Sequence, residues 1–431
     1  MPKDLRSNDM EKKRLILIGA GSRGRSYTSI AKKMDAFELV AVAEPLKERR
    51  DFIGDAHGIP ENMRFESWEP LLALGKIADA AIISTQDRDH FAPAMEAINQ
   101  GYNLLLEKPV SPLLSECREI EKAAKEKGVT VLVCHVLRYT PFFRALKKLI
   151  DDGLIGKVVN VEHTEGIGNL HFSHSYVRGN WCNSERSSFS LLAKSCHDID
   201  ILEWLIGKNC ISTQSFGSLT YFKKENAPEG ATERCFDGCP HIDSCPYSTK
   251  KLYIERKDVG WFRGAATRLH RAPTDDEVMH SLATTDYGRC VFLSDNDVCD
   301  HQTVNMLFED GVIASFTMSA FNIGGRRIRI MGTKGELIGE MGNPEITFND
   351  TVNTERKKIN VADAIATDSI TQGHGGGDSG IMQSLYDMLC GKADAADLSN
   401  ISVSVKSHTT TFAAERSRLE GRTVYLDEYK E

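Results

Sequence analysis

Glycine stands at the first, third and sixth places of Gly19-Ala20-Gly21-Ser22-Arg23-Gly24, which follows the apolar run Arg14–Ile18 and opens a helical pattern. The spacing has a physical use. The first glycine permits a tight turn, the second lets backbone approach a pyrophosphate, and the third lets the helix pack closely on the strand. N–H groups at the helix start then face the phosphates. Glu44 lies twenty residues past Gly24, at the end of a second apolar run. A carboxylate there accepts hydrogen bonds from ribose hydroxyls and repels a 2′-phosphate, so NAD is favoured over NADP. Arg49 and Arg50, one turn on, keep the phosphorylated cofactor open. Gly19, Gly21, Ser22, Arg23, Gly24 and Glu44 are the expected dinucleotide contacts.

Glu107-Lys108-Pro109 follows the apolar run Asn103–Leu106. Ligands of open α/β sheets bind beyond the carboxyl ends of the strands, so Glu107 and Lys108 are expected to face the cofactor. The Lys108 ammonium could also hydrogen-bond a substrate hydroxyl and stabilise the alkoxide that develops as hydride leaves.

Such residues need a rigid sheet behind them. Arg14–Ile18, Glu38–Ala43, Ala80–Ser84, Asn103–Leu106 and Val129–Cys134 read as strands apolar on both faces, as buried parallel strands must be. Helical stretches Arg88–Gln100 and Ser111–Lys127 lie between them, closed by Gly101 and Gly128. The alternation predicts a parallel sheet covered on both faces over residues 1–140. Beyond residue 150 the strands come in runs: Lys157–Glu165, Ile211–Lys223, Arg289–Ser294, Thr303–Phe308, Val312–Phe321 and Arg326–Met331, with one clear helix at Phe189–Ile206. That pattern predicts an α+β domain with a large, mostly antiparallel open sheet over 141–375. Residues 376–431 read as closing helices packed on the body.

A chain of 431 residues is too long for one core, consistent with this division. A net charge of −8 without a Lys/Arg block argues against nucleic acid as a partner. No stretch approaches the roughly 18–20 uninterrupted apolar residues of a membrane helix. Met1–Arg14 lacks a signal-peptide core, so a cytoplasmic location is expected.

GAGSRG at 19–24, the VAEP turn containing Glu44-Pro45, EKP at 107–109 and GTKGEL at 332–337 together resemble the Gfo/Idh/MocA oxidoreductases, a family of glucose–fructose oxidoreductase and inositol dehydrogenase type. The resemblance covers nearly the whole chain. It implies a Rossmann domain with an NAD(P) site, a sugar or cyclitol site against an open sheet, and a homodimer or homotetramer. It also implies a second-domain helix with an aspartate four residues before a proton-accepting histidine. His197 matches that histidine, but the aspartate position is Ala193, and Lys194 stands one residue later on the His197 face of the helix. Lys194 is expected either to tune His197 or to share its proton. The resemblance places sugar contacts at Arg138 and Tyr139. Trp181, in a stretch with His163, His171, His174 and Arg178, offers an aromatic face suited to a sugar, and His374 lies in the glycine-rich loop 373–378.

Cys235, Cys239 and Cys245 form a box in a polar insertion, the last two followed by proline. Eleven cysteines in a long chain without a leader argue for thiols rather than a disulfide scaffold. Three thiolates need a fourth ligand for tetrahedral zinc or another structural metal. Cys290, His241, Cys299 or another chain could supply it, and Cys290 is the favoured choice.

The resulting expectation is an NAD-dependent dehydrogenase of a sugar or cyclitol secondary alcohol, with Lys108, His197 and Lys194 as catalytic residues. Two alternatives stay open: an enzyme that keeps its NAD and cleaves glycosides through transient oxidation, and a non-catalytic sensor of NAD or sugar.

Overall fold

The computed structural model describes residues 12–256, 258, 260–365, 374–393 and 398–429. Contacts divide the chain into two units, one of residues 1–139 and 372–404, the other of 140–371 and 405–431. The C-terminal stretch 376–431 is therefore divided between them.

In the first unit, β1 (Lys13–Ile18), β2 (Phe37–Ala43), β3 (Arg64–Phe65), β4 (Ala80–Ile83), β5 (Asn103–Leu106) and β6 (Val131–Val133) form one parallel sheet in the order β3-β2-β1-β4-β5-β6. The middle strands carry side chains such as Leu15, Ile82 and Leu105 that are wholly buried on both faces. Strand order reverses between β1 and β4, and the loop after β1 opens at that switch point, where such sheets take ligands. The helix Gly377–Leu389 returns to this unit and adds Ile381, Met382, Leu385 and Tyr386 to its core.

The second unit holds β7 (Val158–Gly166), β8 (Cys210–Ser218), β9 (His301–Phe308), β10 (Ile313–Ser319), β11 (Gly325–Gly332), β12 (Gly335–Glu340), β13 (Glu345–Asp350), β14 (Glu355–Asn360) and β15 (Val424–Tyr425). They order as β14-β13-β12-β11-β7-β10-β9-β8-β15, with β7 and β10 parallel and every other pair antiparallel. The helix Ser190–Ile206 packs on β7 and β10. Alternation along the strands leaves Phe216, Leu307 and Ile313 exposed on the other face.

Two sequence expectations fail here for local reasons. Arg289–Ser294 is a run of turns tied by a single bridge between Arg289 and Arg234, not a strand. Strands β12–β14 escaped the periodicity because β14, Glu-Arg-Lys-Lys-Ile-Asn, is an exposed and almost wholly polar edge. Among the described residues no helix is long and apolar enough to cross a membrane.

Candidate active site

The loop after β1 shows what each glycine does. Gly19 has φ +89°, and a Cβ there would lie 2.7 Å from the Ser84 backbone. One on Gly24 would lie 2.3 Å from the Gly19 carbonyl oxygen and 3.1 Å from Leu17. A Cβ on Gly21 meets nothing nearer than the Arg49 guanidinium at 3.9 Å. Gly19 and Gly24 are thus glycine for packing, and Gly21 leaves an open cradle. The helix Ser22–Met34 starts there without a side-chain cap, so its first N–H groups suit a pyrophosphate. These residues fit a dinucleotide.

Glu44 is buried, and both its oxygens hold backbone: Oε2 accepts from the Ala20 N–H at 2.8 Å and Oε1 from the Leu46 N–H at 3.0 Å. The carboxylate therefore braces the glycine loop, and any ribose contact uses its remaining lone pairs. Arg50 is also structural, bonded to the Pro45 carbonyl and Glu66. Arg49 is the arginine next to the cradle.

Two expected cofactor contacts turn inward. The Arg23 Nε lies 2.6 Å from Glu107 Oε1, and its Nη atoms bond Asp378 at 3.0 and 2.8 Å. Glu107 also accepts from the Tyr27 hydroxyl and from the Lys108 N–H. Burial alone would raise the Glu107 carboxyl, but Arg23 and Lys108 bring it below its ordinary value. This clamp joins the Gly-loop helix to Gly377–Leu389 through Asp378, a partner that no local pattern marks. Lys108 itself is half-buried, with a cis peptide to Pro109.

Tyr139 is likewise a core residue rather than a sugar contact: its hydroxyl lies 2.9 Å from Ser399 Oγ and accepts the Ser399 N–H. Arg138 is buried in the same short turn. The His374 side chain lies outside the described residues.

In the second unit, alternation along β7 sends His163 and Glu165 to the buried face. Register places Arg326 of β11 directly opposite Glu165. Above them the helix Ser190–Ile206 presents Lys194, His197 and Asp198 at positions i, i+3 and i+4. One network results. Lys194 Nζ pairs with Glu165 Oε1 at 3.1 Å, and Arg326 Nε with Glu165 Oε2 at 2.7 Å. Arg326 also donates to Asp198 Oδ1 at 2.7 Å and to His197 Nε2 at 2.9 Å, while His163 Nε2 bonds Asp198 at 2.9 Å. Burial alone would raise the Asp198 carboxyl, but Arg326 and His163 hold it far below the ordinary range.

The expected coupling of Lys194 to His197 thus takes another form: the charge beside the imidazole is Arg326, and Lys194 is neutralised by Glu165. Sequence reading missed Glu165, Asp198 and Arg326. The signal available was the pair of polar residues two apart in a buried strand, which marks a polar cluster on one face.

Trp181 is half-exposed and stacks on Tyr176 at 5.9 Å. His174 instead lies in an aromatic box, stacked on Phe262 at 4.3 Å and bonded to the Tyr253 hydroxyl at 2.8 Å. Burial, with Arg178 nearby, depresses it to about 3.

Cys235, Cys239, Cys245 and Cys290 all line one small cavity. His241 lines it too, but its Nε2 bonds the Glu229 carbonyl at 2.8 Å, and Cys299 is not in the wall. The expected tetrahedral zinc is corrected: among the described residues no group of three or more His, Cys, Asp or Glu is arranged to hold a metal ion.

The profile described as "Oxidoreductase family, NAD-binding Rossmann fold" matches residues 13–135. That described as "Oxidoreductase family, C-terminal alpha/beta domain" matches residues 147–426. The chain belongs to the Gfo/Idh/MocA oxidoreductase family. This Gfo/Idh/MocA chain is 24% identical to protein YteT of Bacillus subtilis (strain 168) over 328 residues, 74% of each. It is 27% identical to the NAD(+)-dependent scyllo-inositol 2-dehydrogenase of the same strain over 210 residues, 48% of this chain and 57% of that protein. It is also 27% identical to the 2,7-anhydro-N-acetylneuraminate hydratase of Escherichia coli (strain K12) over 194 residues, 44% of this chain and 49% of the hydratase. The matched region thus spans about half of these last two relatives. The WlbA dehydrogenase of Bordetella pertussis, solved with NADH and UDP-GlcNAcA, superposes with a TM-score of 0.67 at 18% identity, covering 96% of this chain and 98% of WlbA. At that identity the likeness is one of fold.

Proposed function

We propose that this Gfo/Idh/MocA chain is a cytoplasmic NAD-dependent dehydrogenase that oxidises a secondary alcohol of a sugar, a sugar derivative or a cyclitol. The observation that carries the reading is the ion network around Glu165. Its other members are all but wholly buried, whereas the Lys194 side chain is 16% exposed and its ammonium is oriented by Glu165. A cation so fixed can meet a hydroxyl in one geometry.

NAD, when bound, supplies the acceptor for the substrate's hydride. Lys108 donates a hydrogen bond to the reacting oxygen and stabilises its developing charge. Lys194 passes an ammonium proton to the Glu165 carboxylate and takes up the hydroxyl proton at Nζ, so that the cation is restored. His197, whose Nε2 receives the Arg326 N–H, positions the substrate rather than acting as sole base. Trp181, half-exposed, contributes an aromatic face to the sugar-binding wall. The exposed sheet face with Phe216, Leu307 and Ile313 forms a homodimer or homotetramer.

Hydratases among the relatives favour a second reading, in which NAD stays bound and the net reaction is not an oxidation. A panel of sugars, cyclitols and aryl glycosides with added NAD separates the readings. Steady NADH production from a free sugar or cyclitol is the expected result. Product release without net NADH selects the second reading, and cofactor binding without turnover on the whole panel overturns both in favour of a sensor.

A further inference from the structure

Strand β7 ends at Gly166, one residue past Glu165, and the chain leaves it through the short helix Asn169–Phe172. The insertion between β8 and β9 grips that exit. It has a small core of its own, including Tyr253, Phe262 and Leu282, against which Leu170 packs. His174 completes the grip, stacked on Phe262 at 4.3 Å and on Tyr287 at 4.9 Å. The inserted residues are therefore fixed beside the segment that leaves the Glu165 strand.

Four rings follow one another along this junction. Trp181 stacks on Tyr176 at 5.9 Å, Tyr176 meets His171 at 6.2 Å, and His171 meets Trp261 edge to face at 5.2 Å. Tyr176 joins this strip to the ion network, lying close enough to Arg326 for its hydroxyl to act on the guanidinium charge. Trp261 stands at the other end. Its ring is steeply inclined to those of His171, His174 and Phe262, which hold it, yet the residue is 53% exposed. Those contacts explain why the ring is fixed but not why it faces water. Exposed aromatic surface continuous with a polar site marks a ligand groove.

Tryptophan and tyrosine combine an apolar face with a donor at the edge. A sugar ring has the matching form, apolar on its faces and hydroxyl-bearing around its edge. A strip of four rings offers more surface than one sugar can cover. We propose that the strip is a subsite for a second sugar residue, with Trp261 as its outer platform. The preferred substrate then carries a further sugar on the residue that is oxidised, as a glycoside or an oligosaccharide. This rests on the reading of the ion network as the place of oxidation. Binding energy from the remote sugar is then available to the reacting one.

The test uses the full chain with NAD and matched pairs of probes: glucose with cellobiose, galactose with lactose, N-acetylglucosamine with chitobiose, and myo-inositol with galactinol. NADH formation gives kcat/KM, and calorimetry gives affinity. In at least one pair the longer member should be favoured about ten-fold, the weight of one aromatic contact. Trp261→Ala should remove most of that preference, and Trp261→Phe should keep most of it. A merely structural role would move both members of a pair together. Equal handling of both members in every pair, or a preference untouched in Trp261→Ala, overturns the subsite and leaves the dehydrogenase reading standing. If no probe yields NADH, that reading fails and calorimetry decides the subsite. Tighter binding of a longer member that Trp261→Ala abolishes upholds it, and equal or absent binding overturns it. Should Trp261→Ala fail to fold, Trp261→Leu, which keeps bulk without a ring face, takes its place.

Discussion

Arg326 donates from Nη2 to Nε2 of His197 across 2.9 Å, while its Nε bridges the carboxylates of Asp198 and Glu165. One guanidinium thus fixes the imidazole tautomer and bridges two buried acids. Arg326→Met should leave Glu165 to Lys194 and Asp198 to His163, and destabilise the fold by about 3–5 kcal/mol, the usual cost of breaking a buried pair. Chemical denaturation at neutral pH measures it. A loss within experimental error would show that the network relaxes without its arginine.

Lys194→Met should lower kcat by about 10²–10³, as expected for removing a positioned charge from the reacting oxygen, and leave NAD affinity within a few-fold. Glu165→Gln should lower it less, because the ammonium remains but is no longer oriented. If His197→Ala proves as damaging as Lys194→Met and shifts the pH–rate profile while Lys194→Met does not, the base is His197.

Glu44→Ala should act twice. It should narrow the preference for NAD over NADP, and it should lower stability by about 1–3 kcal/mol by leaving the Ala20 and Leu46 N–H groups unpaired. Arg49→Glu should weaken NADP more than NAD. Equal affinity of the intact chain for both cofactors would sink the selectivity assignment.

Arg23→Ala tests the inward clamp. Glu107 and Asp378 would lose their cation, so thermal stability should fall while the NAD affinity of the folded fraction changes little. A selective loss of NAD binding at full stability would return Arg23 to the phosphates.

His174 gives the chain an acid-sensitive term. Its folded pKa, depressed to about 3, lies below the unfolded value of about 6.5, so the unfolded chain binds the extra proton first. Stability from this residue is complete above about 6.5 and declines as pH falls toward about 3. His174→Phe should flatten the dependence over that window even if it lowers stability at pH 7. Parallel curves for the two proteins would assign the acid sensitivity elsewhere.

The Rossmann sheet was legible because its signals are local: strands apolar on both faces, and a glycine spacing that falls within one loop and helix turn. In three dimensions Gly19 and Gly24 meet the close neighbours their spacing requires, and Gly21 leaves the open cradle. Direction of a side chain is not a local property. Arg23 and Glu107 occupy positions that could face a pyrophosphate, and only Asp378, some 355 residues along the chain from Arg23, turns them inward. Tyr139 is drawn into the core by Ser399 in the same way.

The helix carrying Lys194 and His197 could be placed from sequence, but their partners could not. Glu165 and Arg326 are paired by the register of β7 with β11, which depends on strands separated by more than a hundred residues. Spacing alone put the lysine beside the histidine; register gave the lysine to Glu165 and the histidine to Arg326. The four cysteines show the same division. Their number and prolines were visible in sequence, while the small cavity they line arises only from folding, because burial and charge balance are sums over residues distant along the chain.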